Sequence, residues 1–330
     1  MTSSTVTAVT PLLVRSGAGA LAWWRLRNTG VTNASPQLRE IYVRYAFYAA
    51  EHEQQIVETI QVLRSAGVDP ILIKGWATGR LYAEPGLRPP GDIDLIVSPD
   101  QRLNAQAALD GAQPCLQHWV DFDHDEIDRD GERDFRDLYE HAEVVNLADS
   151  AIRVLGAEDH LRLLCAHFLK HGGWRPLWLC DVAAALESQT PDFDWKRCLG
   201  KNEAWADRIT CTVLLAKQLL GAHVGNAPSS RRNKDLPAWL TKSVLKQWNT
   251  PYPTNLPLFT VQIKNTGWKA AARAVARRWP TPVQATIDTN ARFDRWPRLP
   301  FQLKNCVDRA MKLYRGTRAS KHFRTQTENE

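Results

Sequence analysis

The segment from Ile71 to Val97 constrains the fold of this chain more than any other. Ile71-Leu72-Ile73 and Asp92-Ile93-Asp94-Leu95-Ile96-Val97 are short runs rich in β-branched residues. Between them lie a Lys74-Gly75 turn and a Pro/Gly-rich connection, Glu84 to Gly91. Runs of this length, bounded by glycine and proline, read as buried strands. On either side the apolar period is helical. Ile41, Tyr45, Tyr48, Ile56, Ile60 and Leu63 mark a helix from Pro36 to Ser65, closed by Gly67. Pro99 to Gly111 reads as a surface helix. Ala142 to Leu147 reads as a third strand, followed by the strand-like Ile152 to Leu155. Leu161, Leu164, Cys165 and Phe168 then open a helical stretch that continues through 177–186 and 204–220. The pattern predicts an α+β protein: a small mixed β-sheet core with flanking helices, followed by a mainly helical C-terminal domain.

Asp92 and Asp94 stand two apart, so on a strand both carboxylates project from one face. Two carboxylates sharing a face repel each other unless a cation lies between them. Oxygen ligands of this kind suit Mg²⁺, which takes one or two protein carboxylates and fills its shell with water and substrate phosphates. Glu143, on the third strand, is a candidate for a further carboxylate. Gly75 after the first strand lets the backbone approach a polyphosphate and donate its N–H groups.

Lys74-Gly75, Tyr82, Pro85-Gly86-Leu87-Arg88 and Gly91-Asp92-Ile93-Asp94-Leu95 together resemble a family of largely uncharacterised bacterial nucleotidyltransferases, within the DNA polymerase β-type superfamily. His167 to Gly172 and Leu177 to Asp181 resemble that family's helical half. The resemblance covers about residues 40–190 and divides the chain into an N-terminal extension (1–35), a nucleotidyltransferase core (36–156), a helical domain (157–225) and a basic, Trp-containing helical region (226–330). It implies transfer of a nucleoside monophosphate from an NTP to an acceptor, with release of pyrophosphate. Asp92, Asp94 and Glu143 would be the catalytic and metal-holding carboxylates, for Mg²⁺ or Mn²⁺. Lys74, Gly75 and Arg88 would contact the nucleotide. The acceptor is open between a small molecule, a glycan precursor, a peptide and RNA. Trp76 departs from the small residue that the wider superfamily places after the glycine.

Charge is divided unevenly. Gly221 to Glu330 holds 20 Lys/Arg and 6 Asp/Glu, a balance of +14, against −8 for the rest of the chain. Around Trp268, Ala272, Val275 and Trp279 this basic region predicts an amphipathic helix, with Lys269, Arg273 and Arg277 on another face. A core-packed helix, or a partner that is an anionic membrane or nucleic acid, fits that pattern. It also sustains a reading from another class: a non-catalytic, antitoxin-like module of nucleotidyltransferase fold that binds an anionic macromolecule.

Other features point away from other chemistries. The six cysteines form no C-x-x-C pair, so zinc ribbons and thioredoxin-like redox sites are not indicated. His167 and His171 share a helix face, but Phe168 stands where a zincin has Glu. Asp121, Asp123, Asp125 and Glu132 mimic a calcium loop until Glu126 occupies the position that demands glycine; a solvated acidic loop over 121–137 is the expectation. The Ser/Thr-rich start lacks a signal-peptide pattern, and no apolar run reaches the roughly 18 residues of a membrane span. A cytoplasmic protein with free thiols is the default reading.

Overall fold

A computed structural model describes residues 3–29, 35–112, 120–122, 131–225, 227–228, 235–249 and 279–312. Its chain divides into two compact units, one of residues 1–167 with 175–234, the other of residues 168–174 with 235–330. It is an α+β protein built on a five-stranded mixed sheet, as the alternation of periods predicts.

The first unit holds that sheet, made of β1 (Ile71–Ile73), β2 (Ile93–Ile96), β3 (Val120–Phe122), β4 (Glu143–Leu147) and β5 (Ser150–Val154), in the order β3-β2-β1-β5-β4. β1 pairs antiparallel with β2 and parallel with β5. β2 pairs parallel with β3, and β4 with β5 forms an antiparallel hairpin. Helices α1 (Ser3–Ser16), α2 (Gly19–Leu26) and α3 (Pro36–Ser65) precede the sheet; α4 (Gly75–Gly79), α5 (Arg102–Ala112) and α6 (Phe135–Glu140) lie between strands. α7 (Ala157–Lys170), α8 (Pro176–Glu187), α9 (Trp195–Leu199) and α10 (Glu203–Leu220) follow it.

Strand alternation gives the sheet two apolar faces. Leu72, Ile93, Leu95, Ile152 and Val154 pack with Ile56, Ile60 and Leu63 of α3 and with Ala105 and Leu109 of α5. Ile71, Ile73 and Ile96 point the other way, toward Leu138 of α6 and Leu163 of α7. Each such side chain contributes about 1.5–3 kcal/mol when fully buried, so the helical stripes are what hold strands this short in place.

The acidic stretch 121–137 is not one loop. Its described residues include part of β3 and the first half of α6, which Asp134 caps by accepting from the Asp137 N–H at 2.8 Å. In the second unit, α11 (Ala238–Trp248), α12 (Pro282–Asp288) and a helix over residues 299–312, α13, are described. Thr281 caps α12 by accepting from the Gln284 N–H at 3.1 Å. Arg298 is buried there between the rings of Trp239 and Phe301. Most of the amphipathic helix expected at 267–279 lies outside the described residues.

Candidate active site

The turn after β1 is unusual backbone. Lys74 adopts φ +49°, ψ −137°, left-handed space that favours glycine, and Gly75 follows at φ +30°. A non-glycine residue there stores about 1–3 kcal/mol, which the surrounding structure must offset. A Cβ on Gly75 would lie 3.1 Å from the carbonyl oxygen of Asp92, so glycine lets the turn pass close to the start of β2. α4 begins at Gly75. Beside it is a cleft of about 180 Å³ whose lining includes His52, Trp76, Arg80 and Arg88. Trp76 is placed by its indole N–H, which donates to Glu53 of α3 at 2.9 Å.

Asp94 sits on β2 opposite Ile73, the last residue of β1, so its carboxylate lies at that strand's C-terminal end, on the face of Ile71, Ile73 and Ile96. Its side chain is 19% exposed, and the buried Lys74 ammonium approaches it at 3.8 Å. Asp92 stands just ahead of the strand, which begins at Ile93, and is exposed. The neighbour of Asp94 across the sheet is Asp121: β2 and β3 pair in parallel with Asp94 opposite Asp121. Paired residues on adjacent strands share a face at a strand spacing of about 4.8 Å. Val120 and Phe122 turn inward to the α3 face, which leaves Asp121 on the face of Asp94.

Glu143 is elsewhere. It opens β4, with β5 and β1 lying between that strand and β2. It pairs with Val154, whose side chain belongs to the α3 face, so alternation puts Glu143 on the side opposite Asp94. Its carboxylate pairs with Arg80 at 3.2 Å. The structure therefore does not bring Glu143 to the Asp92–Asp94 pair. Asp121 takes the neighbouring position instead. The signal was legible in Val120-Asp121-Phe122, an aspartate between two apolar residues, but the surrounding acidic residues concealed it.

Arg88 lines the cleft and is held from behind. Its Nε donates to Asp181 of α8 at 3.0 Å, and the Tyr82 hydroxyl donates to the same carboxylate oxygen at 2.7 Å. Burial works against the guanidinium's charge, yet Asp181, Tyr82 and Asp94 outweigh it and raise the pKa. Burial, then Asp181, pushes the Tyr82 phenol well up. Asp181 thus anchors the loop after α4 to α8, with its Oδ2 buried and without a hydrogen-bond partner among the described residues. Beneath the cleft, His160 of α7 bonds Thr78 of α4 at 3.0 Å; burial, then Arg80 and Arg88, pushes its pKa down to about 3. This buried imidazole is neutral at pH 7. His167 packs edge-on against Trp178, with ring centroids 4.7 Å apart.

Among the described residues no group of three or more His, Cys, Asp or Glu is close enough to hold a metal ion by itself. The donor set nevertheless fits Mg²⁺, which needs one or two protein carboxylates and takes further oxygens from substrate phosphate and water. Asp94, with Asp92 and Asp121 beside it, offers such oxygens.

The model of a family described as uncharacterised nucleotidyltransferase matches residues 2–221. The chain belongs to that family, and the match spans every residue of the site above. A solved structure of an antigenic nucleotidyltransferase-like protein from Paracoccidioides brasiliensis is similar at 16% identity and a TM-score of 0.40, covering 54% of this chain and 95% of that one. Among curated proteins, none matches the sequence. No helix of the described residues is long and apolar enough to cross a membrane.

Proposed function

We propose that the chain is a transferase that moves a nucleoside monophosphate from an NTP to an acceptor hydroxyl or similar group, with Mg²⁺ and release of pyrophosphate. The observation that carries this reading is the placement of Asp94 opposite Asp121, with Asp92 two residues ahead, beside the strained Lys74-Gly75 turn. Asp92, Asp94 and Asp121 would hold the metal, which supplies positive charge to the triphosphate and to the attacking and leaving oxygens. Mn²⁺ has the same preference for oxygen ligands and can substitute.

The residues of the chain do the rest. Lys74 and Arg88 bring fixed positive charge toward the phosphates, and Asp181 and Tyr82 keep Arg88 in place. Gly75 leaves room for phosphate oxygens against the backbone. Asp121 accepts the acceptor's proton as its oxygen bonds the α-phosphorus and the bond to pyrophosphate breaks. Positioning and charge stabilisation supply most of the catalysis in reactions of this kind. The acceptor class, whether small molecule, glycan precursor, peptide or RNA, is the quantity that the experiment must find.

The test is incubation of the purified protein with Mg²⁺, each α-labelled NTP and a broad acceptor panel that includes cell extract, with products followed by mass spectrometry. Wild type should form a labelled product and pyrophosphate. Asp94→Ala and Asp121→Asn should each lose at least about 100-fold, the scale of a positioned acid–base group, while melting unchanged. Glu143→Gln should stay within about threefold, since its loss removes only a half-exposed pair with Arg80. No product from wild type across all four NTPs would favour the non-catalytic binding module, and a large loss only in Glu143→Gln would return the third carboxylate to β4.

A further inference from the structure

Helix α13 presents its apolar side to solvent. The face packed on the second unit carries polar groups that find partners there. The Gln302 Nε2 donates to the Pro280 carbonyl at 2.7 Å, the Asn305 Nδ2 to Asp288 Oδ2 at 2.8 Å and the Arg309 Nη2 to the same oxygen at 3.2 Å. Leu299, Leu303, Val307 and Met311, each four residues from the next, form one stripe on the other side, between 47% and 56% exposed. Trp296, just ahead of the helix, is 72% exposed. An ordinary surface helix has the opposite arrangement. Scattered exposed apolar residues need no explanation, but a continuous stripe of them marks a contact surface.

Charge selects the occupant. Between Trp296 and Lys312 there are four basic residues and one acid, Asp308. Arg298 and Arg309 are committed to Asp294 and Asp288. Lys304 and Lys312 are exposed and have no ion-pair partner among the described residues. A second copy of the chain meeting this stripe would set two basic helices side by side, each with the exposed Lys304 at the flank of its stripe and one acid to offset four basic residues. Single-stranded RNA would want aromatic faces for stacking, whereas the stripe is aliphatic apart from Trp296. An anionic bilayer suits both halves of the pattern. Aliphatic side chains enter the acyl boundary, Trp sits at the headgroup level and lysines meet lipid phosphate.

We propose that α13, with Trp296, is a docking face for an anionic membrane surface. This does not depend on the transfer reaction. The test is co-sedimentation of the full chain with phosphatidylcholine vesicles made with and without phosphatidylglycerol, at low and high salt. The chain should pellet with the phosphatidylglycerol vesicles, less so at high salt, and should stay in solution with phosphatidylcholine alone. Leu303→Glu/Val307→Glu should abolish pelleting at unchanged circular dichroism and melting temperature, because both side chains are exposed. Lys304→Glu, which leaves the stripe intact, should weaken pelleting at least threefold and remains informative if the double variant misfolds. Pelleting that ignores lipid charge, or that survives in both variants, overturns the proposal. So does a concentration-dependent dimer in light scattering, or RNA retention, that Leu303→Glu/Val307→Glu removes.

Discussion

Acidification should destabilise this protein through His160, and the size of the effect follows from its surroundings. The imidazole is buried in the first turn of α7, bonded to Thr78, with its pKa pushed from 6.5 to about 3 by burial and then by Arg80 and Arg88. Between those two values the unfolded chain binds a proton that the folded chain refuses. The neutral imidazole therefore contributes stability that is complete above about pH 6.5 and is lost as pH falls toward 3. At pH 5 the unfolded histidine is almost fully charged, which amounts to about 2 kcal/mol relative to pH 7 at about 1.4 kcal/mol per pH unit. Urea unfolding of wild type and His160→Gln at pH 7 and pH 5 isolates this term, because the carboxylates that titrate in both proteins cancel. Wild type should lose about 2 kcal/mol more than the variant over that interval. Parallel losses, within about 0.5 kcal/mol, would mean that the folded state admits the proton, and the burial argument would be wrong. Thr78 stands on α4, the helix that opens at Gly75, so the same acidification loosens the wall of the cleft.

Two further perturbations probe the scaffold behind the site. Asp181→Ala removes the carboxylate facing the buried Arg88 and leaves an uncompensated charge, so thermal unfolding should report a loss of about 3–5 kcal/mol, against a smaller loss for Asp181→Asn. A loss under about 1 kcal/mol would show that Arg88 finds another partner or water. Gly86→Ala should destabilise markedly, because φ is +81° and the new Cβ would lie 2.6 Å from the carbonyl oxygen of Tyr45, backbone that cannot yield. Gly67→Ala, at φ +77° with open space around it, should cost only the conformational strain of about 1 kcal/mol, and denaturant midpoints of the two variants should separate them.

Much of the site was legible because its signals are local. Lys74-Gly75 reads as a turn from the run that precedes it, and Asp92 with Asp94 share a direction by strand periodicity alone. Arg88 and Tyr82 fall within the motif, but nothing in their neighbourhood announces that Asp181 anchors them from 93 and 99 residues away. β3 was hidden for another reason: three residues give too little pattern, and the acidic residues around them favour a loop reading. α12 was missed as well, since seven residues make barely two turns of period.

By itself the sequence determined what local periodicity and turn chemistry can carry: an α+β chain, the strand–turn–strand around Gly75, and the paired aspartates. Strand order was the decision of the tertiary structure. Putting β3 beside β2, and β4 beyond β5, brings Asp121 into register with Asp94 and sends Glu143 to the other face. The same holds at α13, where the tertiary structure alone decides which side faces inward. Which side of a helix is buried depends on the partners that the other side finds, and here Asp288 and the Pro280 carbonyl take the polar side inward. Pairing of strands and choice of faces are long-range balances of buried area and satisfied hydrogen bonds, so neither is written in any one segment.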